Sequence, residues 1–175
     1  MAATPLNLGF LAVVQENGSY LGGYFVTNAW GRPLEFRLSS AVQPNKIQQI
    51  LYSSTLVPYV CGDLIGKALV ERAGVPVALI LTTCEPALDL RLKVETPVAV
   101  VLPEDDARAG DPLAVALPNG RGRLLCHARH PEDVEAVRKV LAELDGGLDL
   151  TEPFMRVKEA IAEARKTGVA GRAAA

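Results

Sequence analysis

The chain has 175 residues, of which 49% are hydrophobic and 22% are charged, with a formal net charge of -2. These values are typical of a single globular domain and exclude an intrinsically disordered chain. The charge balance also excludes a broadly basic nucleic-acid-binding protein, so nucleic acid is not expected among its partners. Aromatic residues contribute only 5%, and the core is therefore expected to be aliphatic.

The sequence predicts neither a leader nor a membrane-spanning segment. Residues 1–7 lack the basic region and the apolar run of a signal peptide. No apolar run approaches the roughly 18 residues that a membrane helix needs. The three cysteines, Cys61, Cys84 and Cys126, are odd in number and far apart, which argues against a disulfide framework. We therefore expect a cytoplasmic protein with reduced thiols and no membrane contact.

The N-terminal residues predict two strands joined by a tight turn. Residues 9–15 form a continuous apolar run, and the Asn-Gly pair at 17–18 is a strong hairpin signal because both residues tolerate positive φ. A second strand is predicted over residues 20–28. The paired glycines at 22–23 indicate a bulge or a close backbone approach within it.

A third strand is predicted after the Trp-Gly-Arg-Pro turn at residues 30–33. Apolar and charged residues alternate strictly from 34 to 38. This pattern predicts that three side chains face the core, and these are Leu34, Phe36 and Leu38. It predicts that Glu35 and Arg37 face solvent.

The rest of the chain predicts helices and four more strands. Helices are expected over 44–51 and 56–73, where Gly62 and Gly66 leave a smooth face for packing, with Gly74 as the C-terminal cap. Strands are expected over 77–82, 97–102, 113–117 and 123–127. Residues 86–93 fit either a short helix or an irregular crossover. Two final helices begin at Pro131 and after Thr151.

This order predicts an α+β fold with a central, mainly antiparallel sheet of about 6–7 strands packed with helices. Residues 1–145 are expected to form the domain, and 146–167 a C-terminal helix that packs on the domain or on a partner. Residues 168–175 are expected to be a disordered tail. The element order resembles that of roadblock, longin and profilin-like domains, which place helices around a central antiparallel sheet.

The densest group of specific side chains surrounds the only tryptophan. Trp30 and Arg32 flank a turn glycine, and Glu35 and Arg37 follow on the predicted outward face of the third strand. Tryptophan and arginine are the side chains that most often anchor interfaces. Either the indole covers one end of the core while Glu35 and Arg37 form a cross-strand ion pair, or these four residues bind a protein partner.

A second interpretation places a small-molecule pocket beside the sheet. In that case four residues would line it, namely Tyr20, Tyr24, Trp30 and Arg37. A pocket of this kind would suit a sensor or an enzyme.

A metal site is a weaker alternative, built on Cys126 and His130. Thiolate and imidazole are good zinc ligands, but the paired cysteine spacing of zinc sites is missing. Adjacent residues on a strand point to opposite faces, which also argues against a Cys126–His127 nucleophile dyad. No Asn or Asp is placed by the sequence to orient either imidazole. No metal and no cofactor is therefore predicted.

Because these motifs name no reaction, the sequence favours a non-enzymatic interaction module. We expect a subunit or adaptor of a cytoplasmic assembly, whose partner is another protein or a second copy of the chain. The alternative is the small-molecule sensor or enzyme with its pocket near Trp30 and Arg37.

Overall fold

The structure is a computed structural model that describes residues 5–144, 146 and 148–168. One seven-stranded mixed sheet has the strand order β3-β2-β1-β4-β5-β7-β6. The strands are β1 (Asn7–Glu16), β2 (Ser19–Asn28), β3 (Pro33–Leu38), β4 (Leu79–Thr82), β5 (Val98–Leu102), β6 (Ala114–Ala116) and β7 (Arg123–Cys126). The β1–β4 and β4–β5 pairings are parallel, and the other four are antiparallel. The prediction of an α+β fold with a mainly antiparallel sheet is confirmed.

Four helical elements flank this sheet. They are α1 (Lys46–Tyr52), α2 (residues 56–72), α3 (Asp133–Glu143) and α4 (Glu152–Lys166). The second of these is composite and consists of α-helical Leu56–Pro58, π-helical Tyr59–Gly66 and α-helical Lys67–Arg72. A 3-10 segment, Glu85–Leu92, links β4 to β5. The strand order over the described residues does not confirm the resemblance to roadblock, longin or profilin-like domains.

The sheet separates two hydrophobic cores. On one face, α2 packs through Ile65 and Leu69 against β-strand residues that include Tyr24. On the other face, α3 and α4 pack on a core that includes Phe10, whose ring meets that of Phe154 of α4 edge-to-face at 5.4 Å. Each face therefore has its own helical layer.

The first hairpin and its paired glycines explain how closely the layers approach. Asn17 and Gly18 both have positive φ, as the hairpin prediction requires. A Cβ on Gly22 would overlap Ile65 of α2, and one on Gly23 would lie 2.9 Å from Val157 Cγ1 of α4. The β1–β2 register continues without a shift through both glycines. They therefore permit close approach on both faces, and do not form a bulge.

The predicted orientation of β3 is partly wrong. Leu38 is buried, but Leu34 is 45% exposed and Phe36 is 39% exposed. The reason is that β3 is an edge strand whose register with β2 shifts at Leu34, whereas α4 packs over β1 and β2. Alternation alone cannot show that a strand lies beyond the reach of the helix that covers its neighbours.

The C-terminal helix packs on its own sheet. Phe154, Val157 and Ile161 of α4 are buried in the core beside Phe10. Beyond Gly168, the tail predicted to be disordered lies outside the described residues. Within the described ranges, no helix combines the length and the hydrophobicity needed to cross a membrane.

Candidate functional site

The turn that carries Trp30 is organised by the side chain of Asn28. Its Oδ1 atom accepts hydrogen bonds from the backbone N–H groups of Trp30 and Arg32, each at 3.0 Å. Gly31 occupies the left-handed region with φ of 82°, where a side chain would be strained. The turn is therefore fixed at its base, next to the end of β2.

Arg156 of α4 ties this turn to the opposite layer of the domain. Its Nη1 atom donates to the carbonyl oxygen of Gly31 at 2.9 Å, and its Nε atom donates to Glu152 at 2.7 Å. The guanidinium carbon also lies 4.9 Å from the centroid of the Phe25 ring, in a cation–π arrangement. Although 125 residues separate Arg156 from Gly31, the two are in direct contact.

Trp30 is exposed on this fixed turn. Its side chain is 78% exposed, so it does not cover the core. The neighbouring Arg32 is exposed as well, and so are the edge-strand residues Leu34 and Phe36. We refer to these four residues, Trp30, Arg32, Leu34 and Phe36, as the Trp30 surface.

Glu35 and Arg37 lie apart from the Trp30 surface. The Nε atom of Arg37 donates to Glu35 at 2.5 Å, so the predicted ion pair exists, but within β3 and not across strands. Glu35 also accepts hydrogen bonds from the backbone N–H groups of Gly74 and Val75, each at 2.9 Å. This carboxylate thus attaches β3 to the segment that follows α2, where Gly74 was predicted only as a helix cap.

The hydrogen bonds to Glu35 also set its ionisation. Burial by itself would raise the pKa of Glu35, but the bonds from Arg37, Val75 and Gly74 outweigh it and lower the pKa below its ordinary value. With only 13% of its side chain exposed, Glu35 is a structural anion. Its predicted solvent-facing position is therefore wrong.

The four residues proposed for a small-molecule pocket do not come together. Tyr24 is buried and neighbours Arg37 in the β2–β3 register. Burial and the nearby Glu35 raise the pKa of Tyr24. Tyr20, however, lies at the start of β2 and Trp30 beyond its end, roughly 26 Å apart at the usual rise per residue.

His127 contacts an acid that sequence reasoning missed. Its Nε2 atom lies 3.0 Å from Asp89 Oδ1, and its Nδ1 atom accepts the backbone N–H of Arg129 at 3.0 Å. Because Nδ1 accepts, the ring donates from Nε2 to Asp89. The pair borders an open cleft of about 520 Å³ beside Pro58 and Ala128. With both nitrogens engaged, this histidine holds β7 against the 3-10 segment.

The candidate metal ligands are separated. Cys126 is buried in the core shared with α3, and burial raises the pKa of its thiol to about 11. His130 instead contacts Glu132, with Nδ1 and Oε1 2.8 Å apart. Within the part of the chain that the structure describes, no three His, Cys, Asp or Glu side chains are placed to hold one metal ion.

Cys61 and Cys84 form a thiol pair that their spacing in the sequence did not indicate. The two thiols interact between α2 and the start of the 3-10 segment. The interaction with Cys61 lowers the pKa of Cys84, aided by the Ala87 N–H and opposed by burial. The same interaction, together with burial, raises the pKa of Cys61.

A second exposed apolar group lies on α1. Asn45 caps this helix, and its side chain accepts from the Gln48 N–H at 2.8 Å. Three residues on one face are mostly exposed, at 67% for Ile47, 65% for Ile50 and 76% for Leu51. These three side chains serve as control positions for the Trp30 surface, because they are exposed and apolar but do not lie on the turn that Asn28 and Arg156 hold.

No protein-family model matches the chain, and no curated protein matches it either. Its function therefore has to be inferred from the geometry of these sites.

Proposed function

We propose that this protein is a non-enzymatic interaction module, a subunit or adaptor of a cytoplasmic assembly, and that it binds a protein partner through the Trp30 surface. The observation that carries the proposal is the 78% exposure of Trp30 on a turn that Asn28 and Arg156 hold in place. Tryptophan is costly to leave in water, and it is among the residues most enriched at binding hot spots.

The rigidity of the turn favours binding. A turn whose backbone is already ordered loses less conformational entropy when a partner covers it. The Asn28 hydrogen bonds and the Arg156 contact supply this order before any partner arrives. Trp30 can therefore act as a preorganised anchor.

The composition of the surface also fits a protein partner. Trp30, Leu34 and Phe36 are exposed apolar side chains on the turn and on β3, and Arg32 adds an exposed charged donor. An apolar centre with a polar rim is the usual anatomy of a protein interface. Glu35 and Arg37 contribute to the proposed site by fixing the strand that presents it.

A comparative capture experiment tests the proposal. The tagged full chain and its Trp30→Ala, Arg32→Ala double variant are used to recover proteins from source-cell lysate, with quantitative mass spectrometry. The matched control is Ile47→Ala, Leu51→Ala, which removes equally exposed apolar area from α1. We expect specific partners to be lost with the first variant and kept with the control. A folded Trp30 variant that keeps every partner, including its own second copy, contradicts the proposal.

A further inference from the structure

The backbone of β3 is available on the open side of the sheet. Ser39 donates its N–H to the Gly22 carbonyl at 2.9 Å, so Ser39 faces β2. Backbone bonding alternates along an antiparallel pair, which means that Arg37 and Glu35 also face β2. Phe36 and Leu38 then direct their N–H and C=O groups outward. Within the described part of the chain, β2 is the only strand beside β3.

The side chains of this edge have a self-complementary order. Residues 34–38 read Leu-Glu-Phe-Arg-Leu, which is symmetric in hydrophobicity about Phe36 and opposite in charge on its two sides. An antiparallel copy of the same segment therefore presents apolar groups to apolar groups and an acid to a base.

We propose, building on the proposed function, that the partner of this edge is a second copy of the chain. The two β3 strands pair antiparallel about a two-fold axis at Phe36 and join two seven-stranded sheets into one. Phe36 then lies opposite the second copy's Phe36. Leu34, where the β2–β3 register shifts by one residue, lies near the second copy's Leu38.

Charge selects this register over its neighbours. With Phe36 at the axis, Glu35 lies opposite the second copy's Arg37. A shift of two residues in one direction places Glu35 opposite the second copy's Glu35, and a shift in the other direction places the two Arg37 side chains opposite each other. Directly opposed like charges are destabilising in a sheet. Only the central register brings opposite charges together.

The neighbouring apolar side chains give the pairing its hydrophobic area. Phe36 is 39% exposed and Leu34 is 45% exposed, so strand pairing removes apolar surface from water as well as adding backbone hydrogen bonds. In this register the Trp30 turn extends towards the second copy's Val42 region, which continues the edge beyond β3. The exposed indole thus lies within the proposed interface.

Sedimentation equilibrium of the full chain from about 1 μM to about 1 mM tests the inference. We expect a monomer–dimer equilibrium in the wild type. Phe36→Asp should raise the dissociation constant at least about tenfold, because it places two carboxylates at the axis. Leu34→Asp provides a second test that does not touch the Phe25–Phe36 ring contact. The control is Leu51→Asp on α1, which should leave the equilibrium unchanged.

Amide hydrogen exchange on the same samples tests the register. The Phe36 and Leu38 amides should exchange more slowly as the protein concentration rises, since dimerisation gives them partners. A chain that stays monomeric throughout this range overturns the inference, and so does a dimer that only Leu51→Asp weakens. If the chain is monomeric but still loses a different partner with the Trp30 double variant, the second-copy inference fails and the proposed function stands.

Discussion

The two edges of the sheet are built differently. β3 has six residues and exposes Leu34 and Phe36 beside a fixed tryptophan turn. β6 has only three residues, Ala114–Ala116, and borders a groove of about 640 Å³ lined partly by Arg123 and Arg138. Short strands and nearby charge are common ways to keep an edge from pairing with another chain. β6 has both of these protections.

β3 carries charges too, but they do not protect its edge. Glu35 and Arg37 bind each other, and Glu35 also holds the backbone of Gly74 and Val75. They brace the strand from the α2 face and leave the other face apolar. Whether charges keep an edge strand from pairing therefore depends on what the charged groups contact, and not only on how many there are. An apolar edge is suited to contact, and β3 is longer and more apolar than β6 although its register shifts at Leu34.

A substitution that disturbs the close packing near β3 should change the free energy of unfolding more than the same substitution near β6, and this is the largest difference that we expect between the two ends of the sheet. Gly22→Ala places a methyl group against the buried Ile65, and we expect the free energy of unfolding to fall by about 3 kcal/mol. Gly110→Ala, in the loop before β6, meets nothing within 4 Å and is the control. Urea unfolding of both variants measures the difference. Equal stabilities would show that the β3 end is no more tightly packed than the β6 end.

The anchor of β3 should be sensitive to pH. Glu35→Gln removes the charge that Arg37 and the two backbone N–H groups bind, at an expected loss of about 2 kcal/mol near neutral pH. Because folding lowers the pKa of Glu35, its contribution is complete above its ordinary value of 4.5 and disappears as the pH falls through the lower folded value.

Unfolding curves of wild type and Glu35→Gln across this pH range should therefore converge on acidification. Glu135→Gln on α3 is the control, since its partner Arg138 lies 3.8 Å away at an exposed site. It should change stability little at any pH. A difference in the free energy of unfolding between wild type and Glu35→Gln that stays constant down to acidic pH would contradict the assigned role of the carboxylate.

Loosening the Trp30 turn should have a smaller effect. Arg156→Ala removes the bond to the Gly31 carbonyl and the contact with Phe25, and we expect a loss of about 1 kcal/mol. Since Trp30 is the only tryptophan, its fluorescence anisotropy reports on this turn directly and should fall. Arg138→Ala near β6 should change neither quantity. Unchanged anisotropy in Arg156→Ala would mean that Asn28 alone fixes the turn.

The smallest effect is expected from the most exposed aromatic residue. Trp30→Ala should change the free energy of unfolding by less than about 0.5 kcal/mol, because the indole is 78% exposed. Phe154→Ala is the contrasting variant, as its ring is buried against Phe10, and it should cost about 4 kcal/mol. Thermal and urea unfolding compare the two. A large loss in Trp30→Ala would indicate that Trp30 is needed for folding and would weaken its assignment as a binding anchor.

Local sequence patterns predicted most of the fold. The Asn-Gly turn at residues 17–18 was interpreted correctly, and of the two alternatives for the glycines at 22–23 the close approach holds and the bulge does not. The pattern over residues 34–38 misled, because alternation shows which side chains share a face but not whether a helix covers that face. Whether a helix covers β3 depends on how far α4 extends across the sheet.

The candidate sites were harder to predict, since their contacts join distant residues. Trp30 and Arg32 could be selected by residue type, but the Arg156 contact joins residues 125 apart and the Asp89–His127 contact residues 38 apart. No local spacing signals either pair. The hydrogen bonds from Gly74 and Val75 to Glu35 likewise join residues that are far apart in the sequence. Residue type drew attention to Trp30 and Arg32 but did not settle whether the indole is exposed, and it missed the groups that hold their turn.

The parallel pairing at the centre of the sheet has a consequence for how the chain folds. β1, β2 and β3 are joined by short turns and pair with their sequence neighbours, whereas Leu8 of β1 meets Leu79 of β4 about 70 residues later. Closing so long a loop costs entropy before any contact stabilises it. The slow step of folding is therefore expected where β4 arrives beside β1, and the open edge of β3 belongs to the part of the chain that can form first.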